Sequence, residues 1–178
     1  REDATGSNLF EGGFLGLDNI GPLDRSHLPV AGRLEQSDAT GWMAFYCLYM
    51  ASIATVLRRV GGRPTDDLVL KFLDHFAAIR TAIDEQGLWN DRDGLFHDRL
   101  VTPDGTVVPV EVRSVVGVIP MLAALVVDEA VLDRAQRLRK RFARFLFREG
   151  LHDREKLAEA GLLRGRPGER GLLLGVVR

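Results

Sequence analysis

The sequence predicts an all-α fold: part of an (α/α)6 barrel, a toroid of inner and outer helices, with a small β-hairpin insertion. Two observations predict it, an alternation of helical character and a Pro-Asp-Gly turn between β-prone runs. Four helical segments alternate in character, nearly all apolar, then amphipathic, then nearly all apolar, then amphipathic. A plain antiparallel bundle would make all four similarly amphipathic, whereas two concentric layers enclose the inner helices and leave the outer ones half-wet. A core helix pair with two covering helices is the alternative. Four helices cannot close a ring, and the chain starts without Met and ends on the apolar run Leu172 to Val177. Residues 1–178 are therefore expected to be an internal piece of one catalytic domain. Within it, 1–36 would be an active-site loop, 37–150 the alternating helices and 151–178 a tail.

Each element has its own signal. Residues 1–36 carry Gly6, Gly12, Gly13, Gly16, Gly21, Pro22, Pro29 and Gly32, so no helical period survives. Phe10, Phe14, Leu15, Leu17, Ile20 and Leu23 make this stretch too apolar for disorder, and a loop this long in a packed domain is commonly functional. Ser37 or Asp38 caps a first helix that runs to about Arg59 and stops at Gly61-Gly62. Trp42, Phe45, Tyr46, Tyr49, Met50, Ile53, Val56 and Leu57 leave it almost no polar face, which predicts burial on all sides. Thr65 or Asp66 caps a second helix that runs to about Glu85 on the stripe Val69, Phe72, Leu73, Phe76, Ile79 and Ile83.

Leu95 to Val101 and Thr106 to Val112 flank Pro103-Asp104-Gly105, which predicts a β-hairpin with Pro109 on its edge. A third helix is predicted over Ser114 to Val127 and a fourth over Glu129 to Glu149, its stripe set among seven basic residues. The tail carries a short hairpin signal at Arg166-Pro167-Gly168.

Composition excludes several functions. Charged residues nearly balance, 24 basic against 25 acidic, which argues against nucleic acid as a partner. The single Cys47, in Phe45-Tyr46-Cys47-Leu48, excludes a disulfide framework and reads as a buried thiol. No apolar run reaches the ~18 residues of a membrane span, so no membrane is expected; the single Cys and the lack of exported-protein features lead to the expectation of a cytoplasmic location. His27, His75, His97 and His152 lack metal-ligand spacing. No Walker loop, dinucleotide fingerprint or Gly-x-Ser-x-Gly elbow is present, so neither metal nor cofactor is expected. Trp89-Asn90-Asp91-Arg92-Asp93-Gly94 resembles half a calcium loop but fails at its first and last ligand positions, and reads as an Asx-rich turn.

The chemistry-bearing residues gather in the loop and at the start of the first helix. Asp18 lies in Gly16-Leu17-Asp18-Asn19-Ile20-Gly21, an apolar, glycine-lined stretch with no Lys or Arg before Arg25. Such surroundings push a carboxyl pKa up. Asp24-Arg25-Ser26-His27 follows, then Glu35-Gln36-Ser37-Asp38, with Trp42 one turn further on. Carboxylates and amides bind sugar hydroxyls, aromatic faces stack on sugar rings, and a carboxylic acid can protonate a glycosidic oxygen. Structural roles compete at each position. Asp38 can be a helix cap, Asp24 and Arg25 a local ion pair, His27 a loop hydrogen-bonder, Glu35 a complement to the helix N-terminus and Trp42 plain core.

Phe14 to Gly21, Asp24-Arg25-Ser26 and Leu34 to Tyr46 together resemble the bacterial glucosidase-like branch of glycoside hydrolase family 63. That group includes mannosyl-oligosaccharide glucosidases and mannosylglycerate-hydrolase-like proteins. The resemblance continues through Gly87-Leu88-Trp89, Asp93-Gly94, Pro103-Asp104-Gly105 and Val112 to Pro120, and covers roughly residues 8–150. It implies an (α/α)6 barrel and an inverting hydrolase of α-glycosidic bonds. Asp18 matches the family's general acid in its Gly-x-Asp setting, while the base is expected beyond Arg178, so these 178 residues alone are expected to be inactive. Glu35, Gln36, Trp42 and Arg113 are the expected lining of the sugar pocket. The substrate would be an oligosaccharide or small glycoside, most simply an α-glucoside, with mannosylglycerate the alternative. Two non-enzymatic readings stay open: a carbohydrate-binding or structural toroid, and a partner-binding domain using the basic fourth helix.

Overall fold

The computed structural model describes residues 6–12, 16–17, 20–61, 65–128 and 171–176. The architecture is mixed α/β, which corrects the expected all-α toroid. Among the described residues, two α-helices stand beside seven strands in three antiparallel sheets. Strand β1 (Arg33–Glu35) precedes helix α1 (Ser37–Gly61), and helix α2 (Asp66–Glu85) follows. Then come β2 (Trp89–Asn90), β3 (Leu95–Phe96), β4 (Asp98–Val101), β5 (Val107–Val110), β6 (Ala124–Asp128) and β7 (Gly171–Gly175).

The chain divides into two compact units, residues 1–45 with 78–123, and residues 46–77 with 124–178. The first holds a three-stranded sheet in the order β1-β4-β5 and the β2–β3 hairpin. The hairpin expected at Pro103-Asp104-Gly105 forms as β4 and β5, with Asp98 opposite Val110 and Val101 opposite Val107. Asp104 takes the Thr106 N–H at 3.1 Å, and Gly105 occupies the left-handed conformation at φ 84°. Pro109 sits on the edge strand β5, where its missing donor costs no ladder bond. Strand β1 was not expected. It closes the glycine-rich loop by pairing Arg33, Leu34 and Glu35 with Val101, Leu100 and Arg99.

Between Trp89 and Gly94 the Asx-rich turn forms as the tip of the β2–β3 hairpin. Asn90 accepts the Asp93 N–H on its side chain at 3.1 Å and the Gly94 N–H on its backbone at 2.9 Å. Trp89 and Phe96 meet edge to face across the hairpin, centroids 4.9 Å apart.

The third expected helix, 114–127, does not form. Ser114 instead leads two short 3-10 turns, Val115–Gly117 and Ile119–Leu122, and the chain continues as β6. The reason is local and long-range at once. Val115, Val116, Val118, Ile119, Val126 and Val127 are β-branched and stiff against helical crowding, and Pro120 removes a donor. The partner of β6 is β7, with Ala124 opposite Gly175 and Asp128 opposite Gly171. The fourth expected helix and the hairpin at Arg166-Pro167-Gly168 lie outside the described residues.

Helices α1 and α2 keep the expected bounds. In the second unit α2 buries Val69, Leu70, Leu73, Phe76 and Ala77, and in the first Ile79, Ala82 and Ile83. Helix α1 departs from its expected burial. Ala44, Cys47, Leu48, Ala51 and Ala54 are buried, while Tyr46, Tyr49, Ile53, Val56, Leu57 and Val60 are exposed. Over Ser37–Arg58 it is long and apolar enough to cross a membrane by length and composition, a property it shares with many core helices.

Candidate functional site

The start of α1 is where the chemistry gathers, and the sheet register explains why. Pairing of β1 with β4 sets Glu35 opposite Arg99. It thereby brings Asp98, the next residue along β4, to the helix that begins just after β1. The stretch Leu34 to Gly41 is buried throughout although it contains Glu35, Gln36, Ser37, Asp38 and Thr40. Polar groups buried in such density must satisfy one another.

Asp98 does so across 61 residues of chain. Its Oδ1 accepts the Ser37 N–H at 2.8 Å and the Ser37 hydroxyl at 2.9 Å. Orphan donors in the first turn of a helix are ordinarily met by a local cap; here a strand supplies the oxygen. Asp38, expected as that cap, takes only the Ala39 N–H, at 2.9 Å. Its carboxylate turns mainly to the loop, accepting the Leu17 N–H at 3.0 Å and meeting both terminal nitrogens of Arg25.

Arg25 is the centre of this network. It does not pair with its neighbour Asp24 but lies buried between Asp38 and Asp98. Nη1 donates to Asp38 Oδ2 and to the Leu17 carbonyl, both at 3.0 Å. Nη2 donates to Asp38 Oδ1, and at 3.4 Å to Asp98 Oδ1. Nε stands 3.1 Å from Asp98 Oδ2, an ion pair in which the N–H is not aimed at the oxygen. Burial pushes the Asp98 carboxyl above its ordinary pKa; Arg25 and the Ser37 bonds pull it back, and Asp38 pushes it further up.

The loop is tied to the same helix turn at a second point. Gln36 donates its N–H to the Phe10 carbonyl at 2.8 Å, and Thr40 Oγ1 accepts the Phe10 N–H at 3.1 Å while donating to the Gln36 carbonyl. The Gln36 side chain lies against Gly12 and Gly16, where a Cβ on either glycine would overlap its amide. Gly12 also needs its left-handed backbone, φ 96°. Gln36 Oε1 is buried with no hydrogen-bond partner among the described residues.

The expected site residues fall as follows. Asp18 lies outside the described residues, one position beyond Leu17. Glu35 and Gln36 come together with Ser37 and Asp38 at the start of α1. Glu35 is buried between Arg99, at 3.2 Å, and Arg33, at 3.4 Å, so its charge is met by two guanidinium groups. Trp42 follows Asp38 by one helical turn on the same face; it is half-buried and packs edge to face on Phe45 at 5.5 Å. Arg113 is exposed and donates to Asp93 at 2.6 Å, in a second cluster where His97 Nε2 lies 3.1 Å from the other Asp93 oxygen. The Arg113 bond holds the Asp93 carboxyl below its usual range. His27 sits at the surface on Asp24, whose carboxylate also accepts the Ser26 and His27 N–H groups.

Reading the sequence alone missed Arg25 and Asp98 as partners. One signal pointed to Asp98. His97-Asp98-Arg99 places three consecutive polar residues within a β-prone run otherwise made of Leu, Phe and Val; in the structure all three are buried.

The chain is 38% identical over 159 residues to the uncharacterized protein YMR196W of Saccharomyces cerevisiae, a match spanning 79% of this chain and 14% of that protein. No family model matches the chain. No solved structure matches it either.

Proposed function

We propose that this chain is part of an inverting α-glycosidase that hydrolyses α-glucosides, with Asp18 as general acid. One observation carries the reading. The loop leading to Asp18 is held at Leu17 by both its backbone groups, the N–H by Asp38 at the start of α1 and the carbonyl by the loop's own Arg25, which pairs with Asp38. Leu17 directly precedes Asp18 in the chain, and its side chain is 45% exposed, so its backbone rather than its side chain is what the protein holds. The family resemblance of residues 14–21 and 34–46 supports the same assignment.

In the proposed reaction Asp18 gives its proton to the leaving oxygen as the bond from the anomeric carbon to that oxygen breaks. Water attacks the opposite face and loses a proton to a carboxylate base, producing the inverted hemiacetal. The two carboxyl groups of such a pair stand about 6.5–9.5 Å apart to leave room for the water. The base is proposed to come from sequence beyond these 178 residues, and Trp42 is proposed to stack on the sugar.

The full-length protein tests this. It is incubated with α-linked glucosides, and the released anomer is read by proton NMR, with Asp18→Asn in parallel. Early β-glucose from the wild type and none from the variant are the expected results. α-Glucose as first product refutes inversion, and full activity in the variant refutes the acid. Hydrolysis of mannosylglycerate instead of glucosides keeps the mechanism and changes the substrate.

A further inference from the structure

We propose that the exposed face of α1 between Tyr46 and Val60 is an internal interface, covered in the full-length protein by an apolar segment of the same polypeptide from outside these 178 residues. The proposal stands or falls independently of Asp18.

The face is defined by helix geometry. Tyr46, Tyr49, Ile53, Val56, Leu57 and Val60 fall within an arc of about 100° and run for about 21 Å along the helix axis. All six are exposed, from 45% at Tyr49 to 83% at Val60. The opposite side of the same turns, Cys47, Leu48, Ala51 and Ala54, is buried. A helix side that faces water ordinarily carries charge, and a helix apolar all round is one enclosed on all sides. Here no charged residue occurs from Ala39 to Leu57. Arg58, the first, is already paired with Asp66. The composition of α1 thus matches full enclosure, while the described residues enclose only half of it. An apolar stripe four turns long is too continuous for scattered surface residues and marks a docking surface.

Three occupants can cover such a stripe: more of the same polypeptide, a second copy, or a lipid surface. The likeness to the Saccharomyces protein favours the first. A match spanning 79% of this chain includes Tyr46 to Val60 wherever it begins, yet it occupies only 14% of that protein. The matching segment there is joined to a much larger remainder. A covalently joined segment meets its target at an effective concentration of about millimolar, which a second copy in solution does not reach. Lipid suits the stripe less. A helix that lies on a membrane sets Lys and Arg beside its apolar face, and α1 has none before Arg58.

The test places the photo-crosslinker p-benzoylphenylalanine at Tyr49, and separately at Leu57, in the full-length protein. After irradiation the linked peptides are sequenced by mass spectrometry and the product is sized on a denaturing gel. The expected product keeps the mass of one chain and joins α1 to a peptide outside residues 1–178. A product of doubled mass assigns the face to a second copy and overturns the proposal. Links confined to residues 1–178 overturn it as well. Hydroxyl-radical footprinting of the unsubstituted protein is the second measurement, and it requires no variant to fold. With rates scaled to those of the urea-unfolded chain, Tyr46, Tyr49 and Leu57 are expected to be as protected as the buried Leu48, at every dilution and without lipid. Rates close to those of the unfolded chain put the face in water. Protection that appears only with phosphatidylcholine vesicles puts it on lipid. Either result overturns the proposal.

Discussion

Asp98 offers the sharpest stability experiment, because two substitutions separate its hydrogen bonds from its charge. Asp98→Ala strips the Ser37 N–H and hydroxyl of their shared acceptor, at 2.8 and 2.9 Å, deep in the first turn of α1. Two buried donors left without a partner cost about 2–6 kcal/mol together. Arg25 is not left uncompensated, since both its terminal nitrogens still meet Asp38. The larger penalty of an orphaned buried charge therefore does not apply. Asp98→Asn keeps an oxygen for Ser37 and removes the charge, weakening two charge-assisted bonds while relieving the desolvation and the Asp38 repulsion. Its net cost is expected to be about 1–2 kcal/mol. Urea unfolding at constant slope reads both values as shifts in midpoint. Equal damage by Ala and Asn would show that charge, not the bonds to Ser37, holds the helix start, and the reasoning would fail.

The same pair of proteins gives a pH test with a definite sign. The Asp98 carboxyl is raised in the folded state, chiefly by burial, so folded protein holds this proton more tightly than unfolded chain does. Its contribution is complete below the ordinary carboxyl value of about 3.9 and is lost as pH rises through the higher folded value. The stability of wild type relative to Asp98→Asn is therefore expected to fall across that window and then level off. The lowered carboxyls of Asp24, Asp93 and Asp104 act in the opposite sense and below that window, and they cancel in the comparison. A difference that grows with pH in this range would refute the assignment.

Two further predictions follow from packing. Gly41→Ala in α1 would set a Cβ 2.6 Å from the Pro120 Cα and 2.9 Å from its nitrogen. The overlap is with backbone, so the helix-propensity gain of about 1 kcal/mol is outweighed by overpacking of about 1–3 kcal/mol; the thermal midpoint falls, and a rise would refute the contact. Burial raises the Cys47 thiol above its ordinary pKa, so Ellman's reagent at pH 8 is expected to label it only after unfolding, and rapid labelling of native protein would show that it is accessible.

What was legible in the sequence was local. The bounds of α1 and α2 could be read from Ser37, Asp66 and the glycines after α1, signals that lie within a turn of the helix ends, although the oxygen that meets Ser37 comes from the distant Asp98. The β4–β5 hairpin is written in Pro103-Asp104-Gly105 for the same reason. What was hidden was pairing at a distance. Nothing near Ala124–Asp128 announces that Gly171–Gly175 will lie beside it, so a run of Val and Leu read as a helix. Nothing near Arg33–Glu35 announces Arg99–Val101. The toroid inference failed at this point, since the alternation of buried and amphipathic segments depended on a third helix that is two 3-10 turns and a strand. At the candidate site, Glu35, Gln36 and Asp38 stood out as polar residues at a helix start. Arg25 and Asp98 did not, because their roles exist only once the loop, the helix and the strand have met.

That meeting explains why the network is ionic. Residues 6–12, 16–17 and 20–32 form no helix and, apart from a single bridge at Asp24, no ladder, so most of their backbone groups must find partners elsewhere or stay in water. Phe10 is served by Gln36 and Thr40, and Leu17 by Asp38 and Arg25, so every acceptor or donor comes from the α1 start or from the loop itself. An apolar helix turn could have filled the same space, but it offers nothing to a free carbonyl. Arg25 reaches that carbonyl from inside the protein only because Asp38 and Asp98 carry its charge there, and Asp98 is available only because the register of β1 on β4 brings it to Ser37. The chain of dependence therefore runs from sheet register to helix cap, from cap to guanidinium, and from guanidinium to the loop backbone at Leu17. A slip of one residue between β1 and β4 would turn Asp98 to the other face and release the loop without touching any residue in it.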